Sequence, residues 1–64
     1  MKPVDIAIKY RISEMLIYAI IRELRTKNGI QFTKKGHRYS LTNNEVHLIE
    51  RELQRRGYTP KGRA

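Results

Sequence analysis

Residues 6–21 read IAIKYRISEMLIYAII, an apolar run interrupted at Lys9–Arg11 and again at Ser13–Glu14. Read through the breaks, it is one greasy helix of a small core. Read at the breaks, it is two short helices with a turn between them. The local chemistry favours two. Ser13 is an N-cap residue whose hydroxyl can take up a free N–H of the first turn, and Glu14 sets a negative charge at the same helix start. From there Ile17, Ile20, Ile21 and Leu24 recur at i, i+3, i+4 and i+7, the spacing of one helix face kept up for about three turns. Asn28 and Gly29 then offer a left-handed stop. Upstream, Pro3 suits a first helical turn and Asp5 its positive end. A short helix is therefore expected from about Pro3 to Lys9, with Val4, Ile6 and Ala7 facing inward.

Beyond Gly29 the period changes from helical to alternating. Ile30–Thr33 and His37–Leu41 each alternate as one face of a strand does, with Lys34, Lys35 and Gly36 between them. Residues 30–41 are thus expected to form a β-hairpin with a basic tip, Gly36 supplying the positive φ. Thr42 and Glu45 have the spacing of a capping box. They open a helix whose inner stripe is Val46, Ile49 and Leu53 and which stops at Gly57. Residues 58–64, YTPKGRA, have no period and read as a basic, mobile tail. The expected order is helix, helix, hairpin, helix in one domain over 1–57. No internal repeat or low-complexity segment interrupts it.

Composition bounds the function. Sixty-four residues make a single small domain with a modest core. The net charge of +8 and pI near 10.3 point to a polyanionic partner, nucleic acid first and an anionic membrane surface second, against the plainer reading of a basic but inert surface. There are no cysteines, which excludes disulfides and thiolate zinc sites and fits a reducing cytoplasm. No apolar run approaches the ~18 residues of a membrane span. The start, MKPVDIAIKY, has an acid in its apolar stretch and does not read as a signal peptide.

A small residue at Ala7, the pair Ile12–Ser13, and the inward aliphatics Ile17 and Ile20 have the spacing of a helix-turn-helix. The turn position, commonly Gly, is here Arg11; a left-handed non-glycine costs roughly 1 kcal/mol. The alternative for this stretch is a generic three-helix core. In the second half Gly36, Arg38 and Tyr39 run through Leu41 and Thr42 into Glu45. That arrangement resembles the winged helix-turn-helix of the MerR-like and phage excisionase class, and the resemblance covers residues 4 to 53. It implies a mainly α fold with a small β-hairpin as the wing, and a double-stranded DNA partner. A transcriptional regulator or recombination directionality factor of a phage or other mobile element is the role it suggests.

The resemblance also implies where DNA would be touched. With Ile17, Ile20, Ile21 and Leu24 turned inward, Met15, Ala19, Arg22 and Thr26, flanked by Tyr18, form the face that would enter the major groove. Arg22 can pair with guanine, Tyr18 can reach a base edge or phosphate, and Met15 can pack on thymine methyls. On the wing, Lys34, Lys35, His37 and Arg38 would straddle phosphates or reach the minor groove. The plainer role for the lysines is to blunt an edge strand. Lys9, Arg11 and Ser13, near the turn, can add phosphate contacts. His37 and His47 lack a third ligand, so no metal is expected, and no cofactor or catalytic set is evident. Leu48, off the inner stripe of the last helix, suggests binding as a dimer or a cooperative row on DNA. Two other readings stay open. One is a helix-turn-helix-fold interaction module, an inhibitor or adaptor, that uses Met15, Leu16 and Ala19 on an acidic protein. The other is RNA binding, for which aromatics are few because Phe32 and Tyr39 are expected in the core.

Overall fold

The run at 6–21 forms two helices. In the computed structural model, which describes residues 1–61, the order is α1 (Pro3–Tyr10), α2 (Glu14–Asn28), β1 (Lys34–Lys35), β2 (Arg38–Tyr39) and α3 (Asn43–Arg55). Three helices and one small antiparallel hairpin make a mainly helical fold, compatible with a helix-turn-helix followed by a wing. Among the described residues no helix is long and apolar enough to cross a membrane.

The joint between α1 and α2 is built by two residues. Ser13 is extended, and its hydroxyl accepts the Met15 N–H at 3.1 Å. Arg11 is left-handed, with φ 54° and ψ 49°, the one positive φ outside glycine among the described residues. Around it the Arg11 N–H reaches Ile8 O at 3.2 Å and the Ile12 N–H reaches Ala7 O at 3.0 Å, so two carbonyls at the end of α1 are satisfied. The end of α3 closes in the same way. Gly57, at φ 95°, stands where Arg11 does, and the Tyr58 N–H reaches Leu53 O at 2.9 Å. One closure uses glycine and the other makes an L-residue adopt the same conformation. Arg11→Gly is therefore expected to stabilise the fold by about 1 kcal/mol. In a domain this size that raises Tm by about 4–8 °C, which thermal unfolding followed by circular dichroism reads directly. A Tm that stayed level or fell would show that Arg11 carries no strain.

Ile6, Ala7 and Tyr10 of α1, Ile17, Ile20 and Ile21 of α2, and Ile49 and Leu53 of α3 form the core, with Phe32 and Leu41 from either side of the hairpin. Val4, expected inside, is only half-buried. Tyr10, which lies in the break of the apolar run, is fully buried.

The hairpin is shorter than expected and its tip lies further along. Lys34 pairs with Tyr39 and Lys35 with Arg38, which makes Gly36 and His37 the turn rather than Lys34–Gly36. Positive φ occurs at Gly36 (66°) and not at His37, the pattern of a two-residue II′ turn with glycine first. Ser40 N–H to Thr33 O, at 2.9 Å, adds one more rung. The alternation in Ile30–Thr33 has a different cause from strand pairing. It turns Ile30 and Phe32 toward the core from an irregular connector while Gln31 and Thr33 face out.

Two further ties brace the hairpin's base. Met1 N donates to Leu41 O and Leu41 N–H to Met1 O, both at 2.9 Å. Glu45, at the start of α3, accepts from the Thr33 N–H and hydroxyl. Past Gly57 the chain stays on the domain: Tyr58 packs against the core, and Lys61 N–H meets Lys9 O at 2.8 Å. The last three positions of the expected tail, 62–64, lie outside the described residues.

Candidate nucleic-acid interface

Because Ile17, Ile20 and Ile21 face the core, helical geometry turns Met15, Tyr18, Ala19 and Arg22 outward together. All four are exposed and line one shallow depression. Thr26, expected on the same face, is exposed one turn further on and does not border it. At its N-terminal half α2 meets the hairpin. The rings of Tyr18 and Tyr39 lie 6.0 Å apart at 44°, and the Lys34 ammonium sits 4.9 Å from the centre of the Tyr39 ring. A second depression, lined by Lys2, Glu14, Tyr18, Arg38 and Tyr39 among others, joins the two elements. Arg22, Ala19, Met15, Tyr18, Arg38 and Lys34 thus follow one another across a continuous surface.

The Tyr18 hydroxyl donates to Glu14 Oε2 at 3.3 Å. Desolvation, together with the Glu14 charge, raises the phenol above its ordinary pKa. It therefore stays protonated, its hydrogen engaged by Glu14 and its ring held against Tyr39.

The cations divide into two sets. Lys9 pairs with Glu50 at 2.9 Å, Lys27 with Glu23 at 3.9 Å, Arg55 with Glu52 at 2.6 Å, and Arg56 with both Glu52 (2.8 Å) and Glu23 (2.9 Å). Hydrogen bonds from Arg55 and Arg56 hold the Glu52 carboxyl down to about 2, so it remains ionised and keeps both guanidiniums compensated through the neutral range. By contrast Lys2, Arg11, Arg22, Arg25, Lys34, Lys35, Arg38, Arg51 and Lys61 have no ion-pair partner among the described residues. Five of these, Arg11, Arg22, Lys34, Lys35 and Arg38, belong to the joint, the outer face of α2 and the hairpin, while Lys2 precedes α1, Arg25 is on α2, Arg51 on α3 and Lys61 follows α3. Arg22, Lys34, Lys35 and Arg38 thus bring uncompensated charge to the surface where the exposed Met15 and Tyr18 also lie.

Of the residues singled out from sequence, Met15, Tyr18, Ala19 and Arg22 come together, and Lys34, Lys35, His37 and Arg38 are all exposed on the hairpin. Arg11 is exposed at the joint. Ser13 is the helix cap, and its hydroxyl oxygen is engaged by the Met15 N–H. Lys9 is a fastener between α1 and α3: its hydrogen bond to Glu50 and the charge there raise its pKa. Two residues were missed. Tyr39, expected in the core, is half-buried and bridges α2 to the hairpin; the nearby Lys34 and Arg38 were the available hint. Lys2 borders two depressions with Arg38 and Tyr39, and nothing in the sequence around it signals this. Among the described residues no cluster of His, Asp and Glu could hold a metal ion.

Comparison with known proteins returned no matching family model, no matching curated protein and no matching solved structure.

Proposed function

We propose that this chain is a small double-stranded DNA-binding protein of the winged helix-turn-helix kind. In this reading α2 is the recognition helix in the major groove, and the β1–β2 hairpin is the wing on the backbone and adjacent minor groove. The observation that carries it is one exposed surface on which α2's outer face meets the hairpin, both bearing cations without an acidic partner. Met15, Tyr18, Ala19 and Arg22 lie on it beside Arg38 and Lys34, and none of Arg22, Lys34, Lys35 and Arg38 pairs with a carboxylate among the described residues. The left-handed Arg11, at the position where a helix-turn-helix commonly has glycine, supports the same reading. A role as a transcriptional regulator or recombination directionality factor of a phage or mobile element, acting in the cytoplasm, rests on the sequence resemblance and the small size. One helix and one wing bury too little for tight specificity alone, so binding as a dimer or a cooperative row is part of the proposal.

The test is a titration against random duplexes, selection of the bound fraction, and repetition at several salt concentrations. If Arg22 reads a base and Arg11, Lys34, Lys35 and Arg38 contact phosphates, log K should fall with log salt at a slope of about −4. Replacing Lys34 and Lys35 by Ala should bring the slope to about −2 and weaken all duplexes alike, whereas Arg22→Ala should cost about 1–3 kcal/mol at one base position only. Absence of duplex binding at low salt would sink the proposal. It would also favour a second reading, an interaction module on an acidic protein, for which Ile8, 66% exposed on α1, is the supporting observation.

A further inference from the structure

Resting on the DNA-binding reading of α2, we infer that its outer face reads thymine through the 5-methyl group. The apolar shelf of Met15 and Ala19 is then the specificity-determining element beside Arg22.

Met15 is 79% exposed, on a face where Tyr18 is also 41% exposed. That is much apolar surface to leave in water beside unpaired cations. The same face is poor in the side chains that read other bases. From Glu14 to Arg22 it presents Glu14, Met15, Tyr18, Ala19 and Arg22, with neither Asn nor Gln, which pair with adenine. Tyr18 is restrained, its hydroxyl on Glu14 and its ring against Tyr39, so it walls the depression on the hairpin side. What remains inside is a flexible thioether, a methyl and one guanidinium.

In the major groove the one apolar feature of a base edge is the thymine methyl. Methionine's unbranched, polarisable side chain fills irregular apolar gaps, and Ala19, with nothing beyond Cβ, lets the helix seat closely. The spacing sharpens the inference. Arg22 lies one turn beyond Ala19 and about 10 Å along the helix axis from Met15. Base steps are about 3.4 Å apart. The preferred half-site therefore places a guanine, read by Arg22, about three base pairs from a thymine read by Met15, with Ala19 over the step between.

The experiment uses the full chain and its own selected duplex, with uracil replacing thymine one position at a time. Uracil keeps the hydrogen-bonding edge and removes only the methyl. Wild-type protein should lose about fourfold in affinity for each contacted methyl, at one or two positions and nowhere else. Met15→Ala, an exposed change to a better helix former, should bind the thymine duplex about as weakly as wild type binds the uracil one, and should no longer distinguish the two. Equal wild-type affinity for thymine and uracil duplexes would overturn the inference while leaving DNA binding intact. A uracil effect that persisted undiminished in Met15→Ala would also overturn it, because the methyl would then act through duplex shape. If no duplex were bound at any salt, the DNA-binding reading itself would fall, and this inference with it.

Discussion

Tyr10→Ala is expected to abolish the folded state at 25 °C or to lower Tm by at least about 15 °C. Tyr10 is fully buried between α1 and the rest of the core, and its hydroxyl accepts from Gln54 Nε2 at 3.3 Å. Truncating a buried aromatic costs about 3–5 kcal/mol, because the apolar transfer energy is lost and a cavity remains. At about 0.05–0.15 kcal/mol per residue, a chain of this size holds about 3–10 kcal/mol in total, so the loss takes a large share of it or all. Tyr10→Phe separates packing from the hydrogen bond. It keeps the ring and frees Gln54, which is exposed and can turn to water, so the cost should stay near 1 kcal/mol or below. Thermal unfolding of both variants reads the contrast. A Tyr10→Ala protein that melted within about 3 °C of the parent would show that the ring is not a core element.

That residue also shows where the sequence was legible and where it was not. Helix starts and stops are local chemistry: Ser13, Thr42 with Glu45, Gly29 and Gly57 all act within one turn of where they stand, so a one-dimensional reading finds them. Tyr10 was passed over because Lys9 and Arg11 flank it. Yet Pro3, Ile6, Ala7 and Tyr10, all buried, stand at i, i+3, i+4 and i+7, and that stripe was available. The hairpin tip was misplaced because alternation in Ile30–Thr33 records burial from a connector, not pairing. Arg11's own side chain gives no signal of a left-handed backbone, and only the helix-turn-helix spacing around it points to one. Its left-handed turn is required only by the two helices on either side.

The candidate site was legible as a set of cations but not as a division among them. Whether a lysine is free depends on residues far away in sequence: Glu50 lies 41 positions from Lys9, and Glu23 lies 33 from Arg56. Tertiary packing alone decides that Lys9 is a fastener between helices while Lys34 is available to a partner. For the same reason the link between α2 and the hairpin, Tyr18 against Tyr39, could not be read along the chain. It makes the two halves of the proposed interface one surface.

Glu45→Ala should both destabilise the fold, by about 2 kcal/mol, and detach the hairpin from it. One carboxylate makes both connections. Its Oε1 accepts the Thr42 N–H at 2.9 Å while the Thr42 hydroxyl takes the Glu45 N–H at 3.3 Å, closing the capping box. Its Oε2 accepts the Thr33 N–H at 3.0 Å and the Thr33 hydroxyl at 2.8 Å. Partial burial pushes the carboxyl pKa up, but the hydrogen bonds from Thr42 and Thr33 outweigh it, and the net shift is downward. A carboxyl depressed in the folded state contributes stability that is fully present above its unfolded value and is lost as pH falls through its folded one. The Tm gap between wild type and Glu45→Ala should thus be widest near neutral pH and close progressively below about pH 4.5. A gap that did not narrow in acid would mean that the charged form makes no special contribution. The functional consequence is separable. Two paired residues on each strand are too few for a hairpin to hold its place alone. At a temperature where Glu45→Ala is still fully folded, its duplex binding should therefore show a salt slope shallower by about 2, as it would without Lys34 and Lys35. An unchanged slope would mean that Met1–Leu41 and Tyr18–Tyr39 suffice to position the hairpin. A shallower one would make the Glu45 carboxylate the link through which the start of α3 holds the wing against DNA.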